Sequence, residues 1–297
     1  MTEKAAFRSG FITIIGRPNV GKSTLMNALI GEKVAIVSPK PQTTRNRIMG
    51  ILNGEGYQVV FLDTPGLHNP HTQLGEFMIK SAREALEGTD LLMAMADMSD
   101  FGKEDSKLLQ EMGNATVPRI LVLNKADLVE EGILMQRLQQ VSDFGYDEVV
   151  PVSARTGWNL EELRNTILKH LPVGPRYFPE DMITDQPERL ICAEIIREKA
   201  LRHLKDEVPH GVGVEMQRIA PLGEQLTEIY ATIYCEKQSH KGIIIGKGGS
   251  MLRQIGEEAR HDMERLLGTH IHLQLWVKVR EDWRNRKSDL RTLGYDV

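Results

Sequence analysis

Residues 11–23 read Phe-Ile-Thr-Ile-Ile-Gly-Arg-Pro-Asn-Val-Gly-Lys-Ser, a short apolar run that passes directly into the pattern G-x-x-x-x-G-K-S. The run suits a buried parallel strand, and residues 24–30 open a helix immediately after the loop. Strand, glycine-rich loop and helix in direct succession are the context that makes this pattern a site and not a chance match. The loop itself, Gly16, Arg17, Pro18, Asn19, Val20, Gly21, Lys22 and Ser23, is chemically committed. Its glycines let backbone N–H groups turn inward onto phosphate oxygens, and the following helix adds a favourable dipole. Lys22 brings a compact charge to terminal phosphates, and Ser23 brings a hydroxyl for magnesium.

Further apolar runs each end in a polar box. Residues 57–62 deliver Asp63-Thr64-Pro65-Gly66, with Asp63 at a strand end where it can reach magnesium and Gly66 able to bring its N–H close to a γ-phosphate. Between these two boxes, Gln42-Thr43-Thr44-Arg45 follows a proline pair and reads as an exposed loop. A threonine there suits a magnesium ligand ordered only by the γ-phosphate; Thr44 is preferred over Thr43, but the sequence does not decide between them. Residues 67–74 read as a mobile loop, and His68 within it as solvated surface. Residues 91–96 form another buried strand, and residues 119–123 lead into Asn124-Lys125-Ala126-Asp127. That box selects the base: the Asp127 carboxylate can accept from the N1–H and exocyclic amine of guanine, while adenine offers no such donor pair. The Lys125 stem can cover one face of the ring. Residues 148–152 lead to Ser153-Ala154-Arg155, whose backbone can meet the guanine oxygen.

The order G-x-x-x-x-G-K-S, Q-T-T-R, D-T-P-G, N-K-A-D, S-A-R resembles a translation-factor-class GTPase of the Era type, and the resemblance continues through nearly the whole chain. It implies a doubly wound, mostly parallel P-loop GTPase domain, with helices at residues 73–87, 103–112 and 159–170. It also implies GTP or GDP with magnesium as cofactor, and Lys22, Thr44, Gly66 and Asn19 as the residues that act on the γ-phosphate. Leu67 stands where Ras-like enzymes carry a glutamine that orients water; leucine cannot do this, so slow intrinsic hydrolysis is expected. Asn19 stands where related GTPases hold a potassium ion that balances transition-state charge; the alternative is that it hydrogen-bonds its own loop. Pro41 departs from the family pattern, where a small residue is usual.

The dense prolines of residues 172–179 break this pattern, placing a GTPase domain at 1–172, a linker at 173–185 and a second domain at 186–297. Residues 187–204 read as an amphipathic helix with Arg189, Arg197, Lys199 and Arg202 on its polar face. Residues 213–219, 229–236 and 271–279 alternate as strands. Residues 243–250 read Ile-Ile-Ile-Gly-Lys-Gly-Gly-Ser, a G-x-x-G turn joining two helical pieces. This order of helix, strand, strand, helix, helix, strand resembles an α+β type II KH domain. In such a clamp loop Gly246, Lys247, Gly248 and Gly249 face an RNA backbone, and Ile243 and Ile244 are candidates to line an apolar groove for bases. From Lys241 onward eleven Lys and Arg stand against eight Asp and Glu, a modest net of +3. Arg284, Arg286 and Lys287 read equally well as phosphate contacts or as a solvated helix that packs Trp283 and Leu290.

The totals exclude some classes. A net charge of −4 excludes an overall basic nucleic-acid coat, so any RNA contact is local. Two cysteines and no secretory leader favour a reducing cytoplasm, and no apolar run approaches the roughly 20 residues of a membrane span. The polar stretch 1–10 is expected to be disordered. The Era resemblance further implies binding to the 3′ end of small-subunit ribosomal RNA, a part in small ribosomal subunit assembly, a monomer, and a cytoplasmic protein with a fraction on the inner face of the membrane. The rivals are a GTP-dependent membrane or cell-cycle signalling protein whose KH-like domain binds protein, and a passive RNA-binding module in which GTP is structural.

Overall fold

A computed structural model describes residues 6–40, 42–66, 72–223 and 225–295. Their contacts separate into two compact units. One gathers the described parts of residues 1–35, 44–68 and 78–185; the other gathers those of 36–43, 69–77 and 186–297.

The first unit is built on a six-stranded sheet. Its strands are β1 (Arg8–Gly16), β2 (Ile48–Gly54), β3 (Tyr57–Asp63), β4 (Leu91–Asp97), β5 (Arg119–Asn124) and β6 (Glu148–Pro151), in the order β2-β3-β1-β4-β5-β6. Every neighbouring pair is parallel except β2 with β3. β4 is buried along its whole length, as a central parallel strand covered on both faces must be. One core packs Ile12, Ile14, Phe61 and Met93 beside Leu163 and Ile167 of α5 (Leu160–His170). A second core packs Ile15, Leu92 and Leu121 with Leu109 of α3 (Lys103–Met112). α1 (Lys22–Ile30) follows β1, and α4 (Glu131–Val141) lies between β5 and β6 in sequence. The parallel register sets the ends of β1, β4, β5 and β6 side by side: Gly16 pairs with Met95, Asp97 with Asn124, and Leu123 with Pro151. The polar boxes therefore emerge side by side at the carboxyl ends of the strands, where doubly wound folds bind ligands.

The structure departs from the sequence reading in three places here. Arg8, Ser9 and Gly10 already belong to β1, because they pair with residues 57–59 of β3. β2 and α4 have no counterpart in the sequence reading. Residues 173–185, read as a linker, are bonded to the sheet, and 182–184 lie along its open edge: Ile51 N donates to Ile183 O at 2.8 Å, Thr184 Oγ1 to Met49 O at 2.7 Å and Asn53 Nδ2 to Met182 O at 3.1 Å.

The second unit runs α6 (Glu188–His203), β7 (Gly213–Pro221), β8 (Leu226–Cys235), α7 (Gln238–Ile245), α8 (Ser250–Leu267) and β9 (His270–Val279). β8 is central, antiparallel to β7 and parallel to β9. Ile195 and Ile196 of α6, Ile255, Ala259 and Met263 of α8, and Ile229, Ala231 and Ile233 of β8 share one core. α6 is not amphipathic. It is buried on most of its circumference, and Arg197 and Lys199, read as polar-face cations, are only 1% and 4% exposed. Trp283 is fully buried and its Nε1 donates to Gly211 O at 2.9 Å. Leu290 is fully buried as well, so the packing reading holds for Trp283 and Leu290, and Arg284 pairs with Glu236 at 2.6 Å.

Candidate nucleotide and RNA sites

The loop 16–21 turns sharply at its two glycines. Gly16 has φ +156°, and a Cβ there would stand 2.5 Å from the Met95 carbonyl oxygen. That oxygen belongs to the neighbouring strand and cannot move away, so no side chain fits. Gly66 is hemmed in likewise: its Cβ would meet Pro18 N at 2.6 Å, which sets the end of the D-T-P-G box directly against the phosphate loop. Lys22 is 6% exposed, and its Nζ donates to Gly16 O at 3.1 Å and Arg17 O at 3.0 Å. Burial pushes its pKa down to about 8, with the Asp63 charge opposing. Asn19 sits at the loop tip with φ +66° and is exposed.

Ser23, Thr44 and Asp63 converge. Ser23 Oγ donates to Asp63 Oδ2 at 2.5 Å and lies 2.9 Å from Thr44 Oγ1, which stands 3.4 Å from the same carboxylate oxygen. Thr43 is turned elsewhere, its hydroxyl donating to Lys40 O at 2.6 Å. Burial raises the Asp63 pKa, against the pull of Lys22 and the hydroxyls. Asp63 Oδ1 is buried with no hydrogen-bond partner among the described residues. Two hydroxyls and a carboxylate with a spare desolvated oxygen form a hard all-oxygen donor set, which fits magnesium completed by water and phosphate oxygens. Thr64 Oγ1 donates to Ile14 O at 2.7 Å and so ties its box to β1.

Asn124 joins the base box to the phosphate loop. Its Nδ2 donates to Val20 O at 2.8 Å, and Ala154 N donates to its Oδ1 at 3.0 Å. Asp127 accepts from Ser153 Oγ at 2.6 Å and from Arg155 Nη2 at 2.8 Å. The Ser153 bond, with help from Arg155 and against slight burial, holds its carboxyl below the usual range. Three partners escape sequence reading because they lie far off in the chain or carry no motif. Asp97 pairs with Lys125 and so fixes the stem expected to cover the base. Asp105, buried on α3, takes the Arg17 guanidinium at 2.6 Å, and Glu104 adds a weaker contact at 3.4 Å. Leu67, His68 and Pro41 lie outside the described residues.

In the second unit Gly246, Gly248 and Gly249 have φ of +72°, +60° and +80°. Among the described residues, a Cβ on Gly248 or Gly249 would meet nothing within 4 Å, and Lys247 just before them is exposed. An open groove of about 350 Å³ runs from this loop between α8 and β9, lined by Gly249, Leu252, Arg253, Gly256, Glu257, Arg260, Leu273 and Leu275. Ile243 is 49% exposed, but Ile244 is 0% exposed, because its side chain points into the core of the unit. Ile244 is thus corrected from groove lining to core, and Leu252, Leu273 and Leu275 supply the apolar wall instead.

Residues 11–125 match a family described as 50S ribosome-binding GTPase, and residues 207–284 match the KH domain family. The GTPase Era of Alkaliphilus oremlandii is 53% identical over 293 residues, covering 98% of this chain and 99% of that one. The chain belongs to the GTPase Era family. It is a GTPase with a P-loop α/β domain followed by a KH domain. Two solved structures superpose over 98% of this chain and 100% of their own. One is an Era in complex with MgGDPNP and nucleotides 1506–1542 of 16S ribosomal RNA, at TM-score 0.92 and 40% identity. The other is an Aquifex aeolicus Era variant bound to GDP·AlF4−, at TM-score 0.93 and 41% identity. No helix of the described residues is long and apolar enough to cross a membrane.

Proposed function

We propose that this GTPase is a switch that binds the 3′ end of small-subunit ribosomal RNA and assists small ribosomal subunit assembly, with GTP or GDP and magnesium as its cofactors. The observation that carries the reading is the convergence of Ser23, Thr44 and the spare Asp63 oxygen beside Lys22, in a chain that also holds an open G-x-x-G loop. A solved relative that carries MgGDPNP and a 16S rRNA 3′ segment supports it.

In this reading residues 16–23 wrap the phosphates, and Ser23, Thr44 and Asp63 hold the metal. Bound magnesium supplies positive charge to the β- and γ-phosphate oxygens. Lys22 neutralises charge that grows on the β–γ bridge, and Gly66 presents its N–H to the γ-phosphate. Water is the nucleophile, and Leu67 offers it no hydrogen bond, which favours slow turnover. Asp127 reads guanine, with Lys125 over the ring and Ser153 and Ala154 at its edge, while Arg155 yields the carboxylate to the incoming base. Asn19 holds a potassium ion. Potassium raising turnover over sodium at matched ionic strength supports this; equal rates remove it. Gly246, Lys247, Gly248, Gly249 and Ile243 meet RNA. The functional division at 1–172, 173–185 and 186–297, a monomeric state, a cytoplasmic location and a fraction on the inner membrane face rest on the family resemblance.

The test is the affinity of the full chain for an RNA of nucleotides 1506–1542, measured by fluorescence anisotropy with GDPNP and with GDP. A difference of about fivefold or more is expected for a switch. Equal affinities leave the nucleotide with no differential contact and end the reading.

A further inference from the structure

α6 carries buried charges that the nucleotide chemistry does not use. Glu198 is 0% exposed. Its Oε1 accepts from Val37 N at 2.9 Å and from Arg202 Nη2 at 3.0 Å, and Arg202 Nη2 also donates to Val37 O at 3.2 Å. Arg197 Nη2 donates to the Thr43 carbonyl, and its Nε to Glu194 Oε1 at 2.8 Å. Both ends of segment 36–43 are thus held by one helix of the same compact unit. On its other side α6 reaches α8. Lys199 Nζ donates to Glu198 Oε2 at 3.0 Å and to Asp262 Oδ2 of α8 at 2.5 Å. His203 lies 2.7 Å from Glu258 of α8. α8 in turn supplies Leu252, Arg253, Gly256, Glu257 and Arg260 to the groove.

We propose that Arg197, Glu198 and Lys199 form a positioning relay, by which the placement of segment 36–43 sets the position of the RNA-groove helix α8. The relay rests on the switch reading above. One peptide bond after Thr43, Thr44 joins Ser23 and Asp63, so drawing Thr44 onto a metal pulls on the segment α6 holds. Glu198 is desolvated, and withdrawal of Val37 N removes one of the donors its carboxylate accepts from, a cost that favours regrouping of the whole set over gradual drift. The set also has a second arrangement available: Arg197 Nη1 is buried with no hydrogen-bond partner among the described residues and can take a carbonyl of the segment in another position. Lys199 shares its ammonium between Glu198 and Asp262, so a shift of the first is felt by the second.

The experiment compares wild type, Glu198→Gln and Asp262→Asn as full chains. Anisotropy with the 1506–1542 RNA gives the ratio of affinities in GDPNP and GDP, and thermal unfolding and GDP affinity are followed in parallel. Asp262 lies on α8, outside the segment and the nucleotide boxes in the chain, so it serves where Glu198→Gln does not fold. The relay predicts that the ratio falls to within about twofold in both variants while GDP affinity is kept, whatever the change in thermal midpoint. A merely structural role lowers the midpoint and leaves the ratio alone. A wild-type ratio in either folded variant overturns the relay. A ratio of one in the wild type overturns the switch reading, and the relay with it.

Discussion

The loops 16–23 and 246–249 are made from the same parts: three or fewer glycines, one lysine and a helix that starts at once. They differ in what surrounds them. In the first, a Cβ on Gly16 strikes strand backbone at 2.5 Å, and Lys22 is buried against loop carbonyls. In the second, Gly248 and Gly249 face empty space and Lys247 faces solvent. An enclosed loop suits a small polyanion whose every oxygen must be met. An open one suits a polymer that has to slide in sideways and continue past both ends. Glycine serves space in one case and backbone twist in the other.

That contrast sets the size of mutational effects. The largest belongs to Gly16→Ala, where the clash with a fixed carbonyl oxygen distorts the phosphate loop. GDP affinity by titration calorimetry falls by roughly a hundredfold or more. Near wild-type affinity would mean the first loop is as roomy as the second. Asp127→Asn comes next: preference moves from guanine to xanthine nucleotides by about two orders of magnitude, because the acceptor pair is replaced by one donor and one acceptor. Competition with fluorescent GDP reads this out, and retained guanine selectivity breaks the base assignment. Gly248→Asp puts a negative side chain into the open space of the second loop. RNA affinity drops about tenfold or more with GDP affinity unchanged, since a Cβ there meets nothing within 4 Å among the described residues. The smallest effect is Lys247→Ala. An exposed lysine on one phosphate lowers RNA affinity about threefold and reduces the salt slope by about 0.7. A loss as large as that of a P-loop lysine would show that the second loop encloses its ligand after all.

The nucleotide boxes other than residues 42–45 are legible in sequence because each follows a mostly apolar strand, and parallel register brings strand ends together whatever the loops between them do. β2 is not legible, since residues 48–54 form an edge strand with two glycines and no clean alternation. Asp97 and Asp105 are invisible because a partner that fixes a motif lysine or arginine across the fold needs no motif of its own. α6 misleads for a related reason. Charges in sequence predict a wet face; Glu194 and Glu198 sit on the helix itself, but only the fold supplies Asp262 and the Thr43 carbonyl, which complete the company that lets Arg197 and Lys199 be buried. Ile244 misleads by proximity to the glycine loop, when helical phase turns it inward.

Residues 182–184 occupy the free hydrogen-bonding side of β2 with Ile183 O, Met182 O and the Thr184 hydroxyl. Gln58, inside the same sheet, is spent on Tyr177 N and Phe178 N at 2.8 and 3.0 Å. A nucleotide half cut at residue 172 therefore loses its selvedge: a bare β ribbon, open amide groups outward, invites a second copy to zip alongside it. Whoever wishes to handle that half alone as a well-behaved fragment should carry the chain on through residue 185.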